Sequence, residues 1–370
     1  ESEVEEDVLH ELDVESETCG LCGGSLAFTG DYVEKDECDV MIKTARRRHK
    51  YAVYECLDCG AQIRLQIEKH LKQQNRYGST VQALALSLMA TGNMAVNKVR
   101  TFFLGITQGE LHPSEGYICK LYKRAAENLE RFRIELKRAM IQKRVLFWDD
   151  TVVMINTQRA CMRFYGDEQI SYYTAHEKKD LDSLMEDNVL DLLTDGTVVM
   201  HDHNTVNYNE RFCFQNIECI QHLERDLQKS ADDNPSHTWA KNMKKTISTW
   251  ARKRKDYQGR GKERFEEKEE EKFHVKIKRL IKKGYRESGK STNPTTVPSE
   301  KTLLKRLENY YDNYFRWISD FTLPTTDNLS ERGLRGIKSH MKISGQFENE
   351  TAAKNYATVK TYVETCRKKG

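Results

Sequence analysis

No stretch of this 370-residue chain approaches the run of about 20 apolar residues that a membrane-spanning helix requires. No basic-then-apolar segment opens it, so a secretory leader is not expected. Residue 1 is Glu rather than Met, and the natural N-terminus is expected to lie upstream. Internal repeats are missing too, which argues against a solenoid. The first 18 residues contain no Lys or Arg and hold nine acids, whereas the whole chain carries a net charge of +3. Without that acidic leader the body has a charge of about +12 (3 plus 9), which suits a polyanionic partner. The leader itself reads either as a solubilising tail or as a mimic of DNA.

The ten cysteines do not form a disulfide framework: four make two CxxC pairs and six are scattered singly. That usage fits metal binding in a reducing compartment, so a cytoplasmic protein is expected. Charged residues make up 32% and hydrophobic residues 38%, enough for a polar surface over a real core. The length predicts about two or three folding units. We divide the chain into the acidic leader (1–18), a cysteine module (19–65), a helical region (66–140), an α/β region (141–230 and 321–370) and a basic helical insertion (231–320). Within the insertion, residues 252–290 hold 16 Lys/Arg against eight Asp/Glu. The Ser/Thr/Gly/Pro-rich stretch Ser288–Pro298 reads as a loop.

Cys19-Gly-Leu-Cys22-Gly-Gly and Cys56-Leu-Asp-Cys59-Gly have the form of two zinc knuckles. CxxC spacing lets both thiolates reach one ion, and the glycine that follows permits the turn. Two such pairs predict one tetrahedral, structural Zn²⁺ held by Cys19, Cys22, Cys56 and Cys59. Four thiolates leave no open position for catalysis. Cys38, between the pairs, is read as a bystander.

Residues Thr80–Met89, Ala95–Phe103 and Ser114 towards Phe132 read as three helices. Gly92-Asn93 and Gly105 break the first two, and Ser114 caps the third. Short helices with glycine turns fit a helix-turn-helix, although a plain helical linker looks similar.

Beyond Arg144 the pattern becomes three strands (Val145–Ile155, Ala160–Tyr165, Ile170–Thr174), a helix (Lys178–Asp187), a strand (Thr197–Asp202), a helix, a further strand (Ile217–Ile220) and mostly helical sequence to the end. This order is expected of an RNase H-like domain. Three acids stand out in it. Asp149 lies inside an apolar strand, where an unpaired carboxylate is costly. Asp202 ends a second apolar strand, and Glu331 opens a helix. Strand alternation puts Asp149 and Asp150 on opposite faces and does not choose between them. Each acid also has a plain reading: a turn for Asp149 or Asp150, a helix cap for Asp202, and a capping box with Asn328 for Glu331. Together, in this strand order, they form a candidate site for two divalent cations.

The residues also carry a family resemblance. Asp327-Asn-Leu-Ser-Glu331-Arg332-Gly-Leu-Arg335, with Lys338, Lys342, Ser344-Gly345 and Phe347, resembles the D/N-N-x-x-E-R-x-L-R-x-x-K-x-x-x-K-x-S-G-x-F block of the insertion-sequence-sixty-six DDE transposases. Asp149-Asp150-Thr151 is similar to that family's D-E-T. Gly196 to Asn204 with Tyr208 resembles G-x-x-x-H-D-H/G-x-x-x-Y, and Cys219 to Leu227 resembles C-x-x-H-x-x-R-E-L. The CxxC module and Tyr77-Gly78 with Gln82-Ala83-Leu84 fit the same pattern. The resemblance spans about residues 19–370. It implies Asp149, Asp202 and Glu331 as the catalytic acids binding two Mg²⁺ or Mn²⁺. It also implies Arg225, Arg332, Arg335, Lys338 and Lys342 as DNA contacts, and His222 as an auxiliary group. Leu223 replaces a second histidine usual there, which weakens a proton-transfer role for that position. Asp150 replaces the usual Glu. The implied activity is cleavage of DNA at terminal inverted repeats and joining to target DNA. The implied assembly is a dimer or larger transpososome at the bacterial nucleoid, with accessory proteins of the same element. The rival readings are a non-catalytic DNA-binding regulator and a nuclease that cuts without joining. Between Asp149 and Asp202 lie 52 residues (202 − 149 − 1), and between Asp202 and Glu331 lie 128 (331 − 202 − 1). The second gap houses the insertion, whose Lys241–Lys255 and Lys276–Lys283 segments are expected to meet DNA.

Overall fold

The computed structural model describes the chain apart from residues 1–8, 13, 14, 16, 36, 38, 39, 41, 69, 70, 73–76 and 291–294. Most of the acidic leader, Cys38 and part of the loop expected at Ser288–Pro298 therefore lie outside the described residues. Among the described residues, no helix is long and apolar enough to cross a membrane.

The cysteine module contributes one antiparallel pair, β1 (Val53–Glu55) and β2 (Gln62–Arg64), exposed along its whole length. Helices α1 (Ser79–Ala90), α2 (Val96–Ile106) and α3 (Glu115–Asn128) follow, and α4 (Glu130–Met140) continues α3. Among the described residues, the first α-helix of the helical region is α1, from Ser79. Ala85, Val99, Phe103, Ile118 and Leu121 close a small core between the first three helices. Gly92 ends α1 because a Cβ there would lie 2.7 Å from the Leu88 carbonyl oxygen. The expected break at Gly105 does not occur: α2 runs through it to Ile106, and the chain turns at Gln108 and Gly109, both with positive φ. Ser114 caps α3 as expected, accepting from the Tyr117 N–H at 3.2 Å.

The sheet comprises β3 (Val145–Ile155), β4 (Gln158–Gly166), β5 (Ser171–His176), β6 (Val198–His201) and β7 (Gln215–Glu218), in the order β5-β4-β3-β6-β7. The first three strands are antiparallel, and β6 and β7 run parallel to β3. Asn156 and Thr157 both adopt positive φ, the geometry that a two-residue hairpin needs between β3 and β4. Between β5 and β6 lies α5 (Leu181–Asp187); after β7 come α6 (Ile220–Asp233), α7 (Trp239–Gly259), α8 (Glu267–Lys290), α9 (Val297–Asn309), α10 (Tyr311–Phe315), α11 (Asn328–Ser344) and α12 (Glu350–Lys369).

Alternation along β3 splits the core in two. Phe147, Val153 and Ile155 pack with Leu334 and Ile337 of α11 and Ala353 and Ala357 of α12. Leu146 and Trp148 pack on the opposite face with Leu136 and Met140 of α4 and Leu184 of α5. The insertion has its own core around Trp239, Phe273, Leu304 and Trp317. That core also takes in Leu223 and Leu227 of α6, so it reaches back across the expected boundary at 231.

Below the far face of the sheet sits a buried charge network. Asp187 accepts from Arg163 Nη1 at 3.0 Å and from the Tyr165 hydroxyl at 2.7 Å, and pairs with His176 Nε2 at 2.7 Å. Removing one partner of such a network strands the other charge, at a cost of about 3–5 kcal/mol. Asp187→Ala is therefore expected to lower unfolding stability by about that amount in denaturant titrations. An unchanged midpoint would show that Arg163 finds other compensation.

Candidate active site

Asp149 and Asp202 are brought together by strand pairing. Phe147 of β3 faces Met200 of β6 in parallel register; carried two residues further, past the end of β6, that register leads to Asp149 and Asp202, and the Asp202 charge acts on the Asp149 carboxyl. Both continue the face that packs on α11, since Phe147 and Met200 belong to that core. Asp150 turns to the other face, where Lys179 Nζ donates to its Oδ1 at 2.6 Å. Its backbone N–H donates to Asp149 Oδ1 at 2.7 Å. Burial pushes the Asp149 carboxyl up to about 7, with the negative charge of Asp202 adding to it; the Asp150 N–H and the Lys338 ammonium oppose the shift.

Glu331 sits in the first turn of α11. Its Oε1 accepts from Arg225 Nη2 at 3.1 Å and lies 3.8 Å from His222 Nε2. Arg335, one helical turn on, is not its partner. The alternative reading of Glu331 in a capping box with Asn328 does not fit: the helix begins at Asn328, and Asp327 is the flanking residue, without a side-chain cap. His222 Nδ1 is buried with no hydrogen-bond partner among the described residues.

Asp327 was not singled out by the sequence. It is fully buried, its N–H donates to Cys219 Sγ at 3.2 Å, and its Oδ1 accepts from the Ser330 hydroxyl. Its Oδ2 has no partner among the described residues. Burial holds its carboxyl well above the usual range, and the charges of Asp149, Asp202 and Glu331 raise it further. Four carboxyl groups thus share one electrostatic environment. Asp327 lies one turn before Glu331, which alternation of helix faces makes visible, but its burial is set by Cys219 and the sheet.

Arg332, Arg335, Lys338 and Lys342 are exposed along α11. Arg332 also lines a cleft of about 340 Å³ together with Arg254, Lys255 and Gln258 of α7 and with Thr325 and Asn328. The insertion therefore supplies cationic groups beside the helix that carries Glu331.

Each CxxC pair forms a tight turn. The Cys19 N–H donates to Gly24 O at 2.9 Å and the Gly23 N–H to Cys19 O at 2.8 Å; Cys56, Gly60 and Ala61 repeat both bonds at 2.8 and 2.9 Å. Gly23 and Gly60 hold φ of 75° and 69°, which explains the glycine after each pair. Backbone N–H groups within each turn lower the thiol pKa of Cys19 and Cys56. Among the described residues, however, no three His, Cys, Asp or Glu side chains converge as a ready metal cluster. The two cysteine turns are not joined, and Glu331 is engaged by Arg225 rather than by the aspartate pair.

A mixed α/β protein with a mid-strand Asp149 close to Asp202 at the end of the neighbouring strand, flanked by a cationic helix, is the class that fold and site define. The profile of the Transposase IS66 family matches residues 105–355, more than half of the chain. The chain belongs to that family. No curated protein matches it. Among solved structures, the Mos1 Strand Transfer Complex is similar at 13% identity and a TM-score of 0.15, covering 66% of this chain and 79% of that one.

The aspartate pair has a consequence for stability. Folding holds the Asp149 proton more tightly than the unfolded chain does. Ionising it therefore costs folding free energy as pH rises from the ordinary carboxylate range, about 4, to about 7. Above that the cost is constant, on the order of a few kcal/mol. In chelator at pH 8, Asp149→Asn is expected to melt above the unsubstituted protein, and the gap should narrow towards pH 5. A lower melting temperature at pH 8 would contradict the cost of ionising the buried Asp149 beside Asp202.

Proposed function

We propose that this transposase is a DDE enzyme with an RNase H-like core, in which Asp149, Asp202 and Glu331 hold two divalent cations, Mg²⁺ or Mn²⁺. The observation that carries the proposal is the closeness of Asp149 and Asp202, on the sheet face covered by the helix whose first turn holds Glu331. Support for the fold reading comes from the sheet order β5-β4-β3-β6-β7, with three antiparallel strands and two parallel ones. The residues suit cations: two close carboxylates repel, one of them binds its proton unusually tightly, and a buried Asp327 oxygen is left unpaired. Glu331 would complete the set by exchanging Arg225 for metal. The cations would activate the attacking oxygen and stabilise the leaving one.

The protein's own groups do the rest. Arg332, Arg335, Lys338 and Lys342 present positive charge along one helix and would grip DNA phosphates next to the acids. Arg225, released from Glu331, would join them. His222 stands beside Glu331 as an auxiliary group. The substrate would be double-stranded DNA, both the terminal inverted repeats and the target. The working form would be a dimer or larger assembly in the bacterial cytoplasm, with element-encoded accessory proteins as partners. Cys19, Cys22, Cys56 and Cys59 would share one Zn²⁺. The described residues of that module contribute nothing to the hydrophobic cores, so a shared ion is the interaction able to draw its two turns together.

A strand-transfer assay on labelled duplexes bearing the terminal repeats tests this directly. Cleavage and joining in Mg²⁺ or Mn²⁺ are expected, and Glu331→Gln should lose both while still shifting the duplex on a gel. Cutting without joining would mark a nuclease, and binding without cutting a regulator. For the cysteine module, elemental analysis should find one zinc per chain, lost in a Cys22→Ser, Cys56→Ser double variant. A zinc-free preparation of unchanged protease resistance would overturn that assignment.

A further inference from the structure

Asp202 lies between two histidines, and both are tied to the same strand. His201 bridges the Asp202 carbonyl oxygen, at 2.5 Å from Nδ1, and Asn216 Oδ1, at 2.8 Å from Nε2. His203 Nδ1 lies 2.5 Å from Glu218 Oε1. Asn216 and Glu218 are alternate residues of β7, on the opposite face from Ile217, which belongs to the core under α11. Anchoring both histidines to that face turns Asp202, the residue between them, towards α11 and Asp149.

Glu218 is the stronger of the two anchors. Only 1% of it is exposed, and a buried carboxylate persists only when hydrogen-bonded. Its Oε1 takes two groups from one loop, His203 and the Tyr208 hydroxyl. The loop is closed by a 3-10 turn at Thr205–Tyr208 and by the Asn204 N–H, which donates to the Asp202 carbonyl oxygen at 2.9 Å. Tyr310 of the insertion covers it from outside, its ring 4.2 Å from that of Tyr208 and 5.2 Å from that of His203. Asn313 Nδ2 reaches the Tyr208 hydroxyl at 3.5 Å.

We infer that Glu218 is a positioning residue that fixes Asp202 for metal binding, acting through His203 and Tyr208. The inference rests on the reading of Asp202 as a metal ligand. Groups that orient ligands from behind typically change metal affinity by about 10–100-fold when removed. The full chain is titrated with Mn²⁺, following free Mn²⁺ by electron paramagnetic resonance, alongside thermal melts. Glu218→Ala should weaken Mn²⁺ binding about tenfold or more. Tyr208→Phe, which keeps the ring and removes only the hydroxyl, should weaken it in the same direction at an unchanged melting temperature. Glu218→Gln, which retains an acceptor oxygen, should restore binding towards the unsubstituted value. Asp202→Asn separates the two claims. If it binds Mn²⁺ as tightly as the unsubstituted protein, the metal-site reading fails and the inference with it. If Asp202→Asn loses binding while Glu218→Ala and Tyr208→Phe retain it, the inference alone is overturned. Should Glu218→Ala fail to fold, Tyr208→Phe decides.

Discussion

Asp149 and Asp202 repel each other across neighbouring parallel strands, and the surrounding structure keeps them there. The β3–β6 register sets their spacing, and the core beneath α11 fixes which way they face. Nothing in the sheet neutralises them: Lys179 serves Asp150 on the far side, and Lys338 offsets the Asp149 shift only in part. Like charges held together in a partly buried place mark a candidate binding site. Glu331 and Asp327, one turn apart at the start of α11, extend the same negative environment, and Arg225 balances it at Glu331.

The insertion is bolted to this arrangement rather than hung from it. Arg254 of α7 donates through Nη2 to the carbonyls of Phe321 and Leu323 at 2.6 Å each, on the segment that leads into α11. Helix α6 leaves the sheet core after its N-cap Cys219 and packs Ile220, Leu223 and Leu227 into the insertion core. Tyr310 closes over the loop that carries Asp202. A movement of the insertion on DNA would therefore be felt at two of the three candidate catalytic acids.

Strands were legible where local chemistry and tertiary context agreed. The bounds of β3 follow from an apolar, β-branched run. The last strand shows the limit: Ile217–Ile220 was expected, but pairing with β6 selects Gln215–Glu218, and Ile220 opens α6 instead. Gly105 looked like a helix end because glycine is a poor helix former, yet packing of Phe103 carries α2 past it. The acids were visible as residue types, and Asp149 was separated from Asp150 in the sequence only by family resemblance. The geometry that distinguishes them, Lys179 beside Asp150 on one face and Asp202 near Asp149 on the other, joins residues 29 and 53 positions apart (179 − 150 and 202 − 149). Asp327 and Glu218 stayed hidden because their meaning lies in burial, which no local pattern encodes.

Asp149, Asp202 and Glu331 are proposed to surround one site that holds two divalent cations. Localised oxidative cleavage tests it most directly: Fe²⁺ replaces Mg²⁺, peroxide and ascorbate generate hydroxyl radicals at the bound ion, and mass spectrometry maps the backbone cuts. Cuts clustered beside residues 149, 202 and 331, suppressed by excess Mg²⁺, are the predicted result. Cuts confined to other parts of the chain, or the same cuts in Asp149→Asn, would contradict the account.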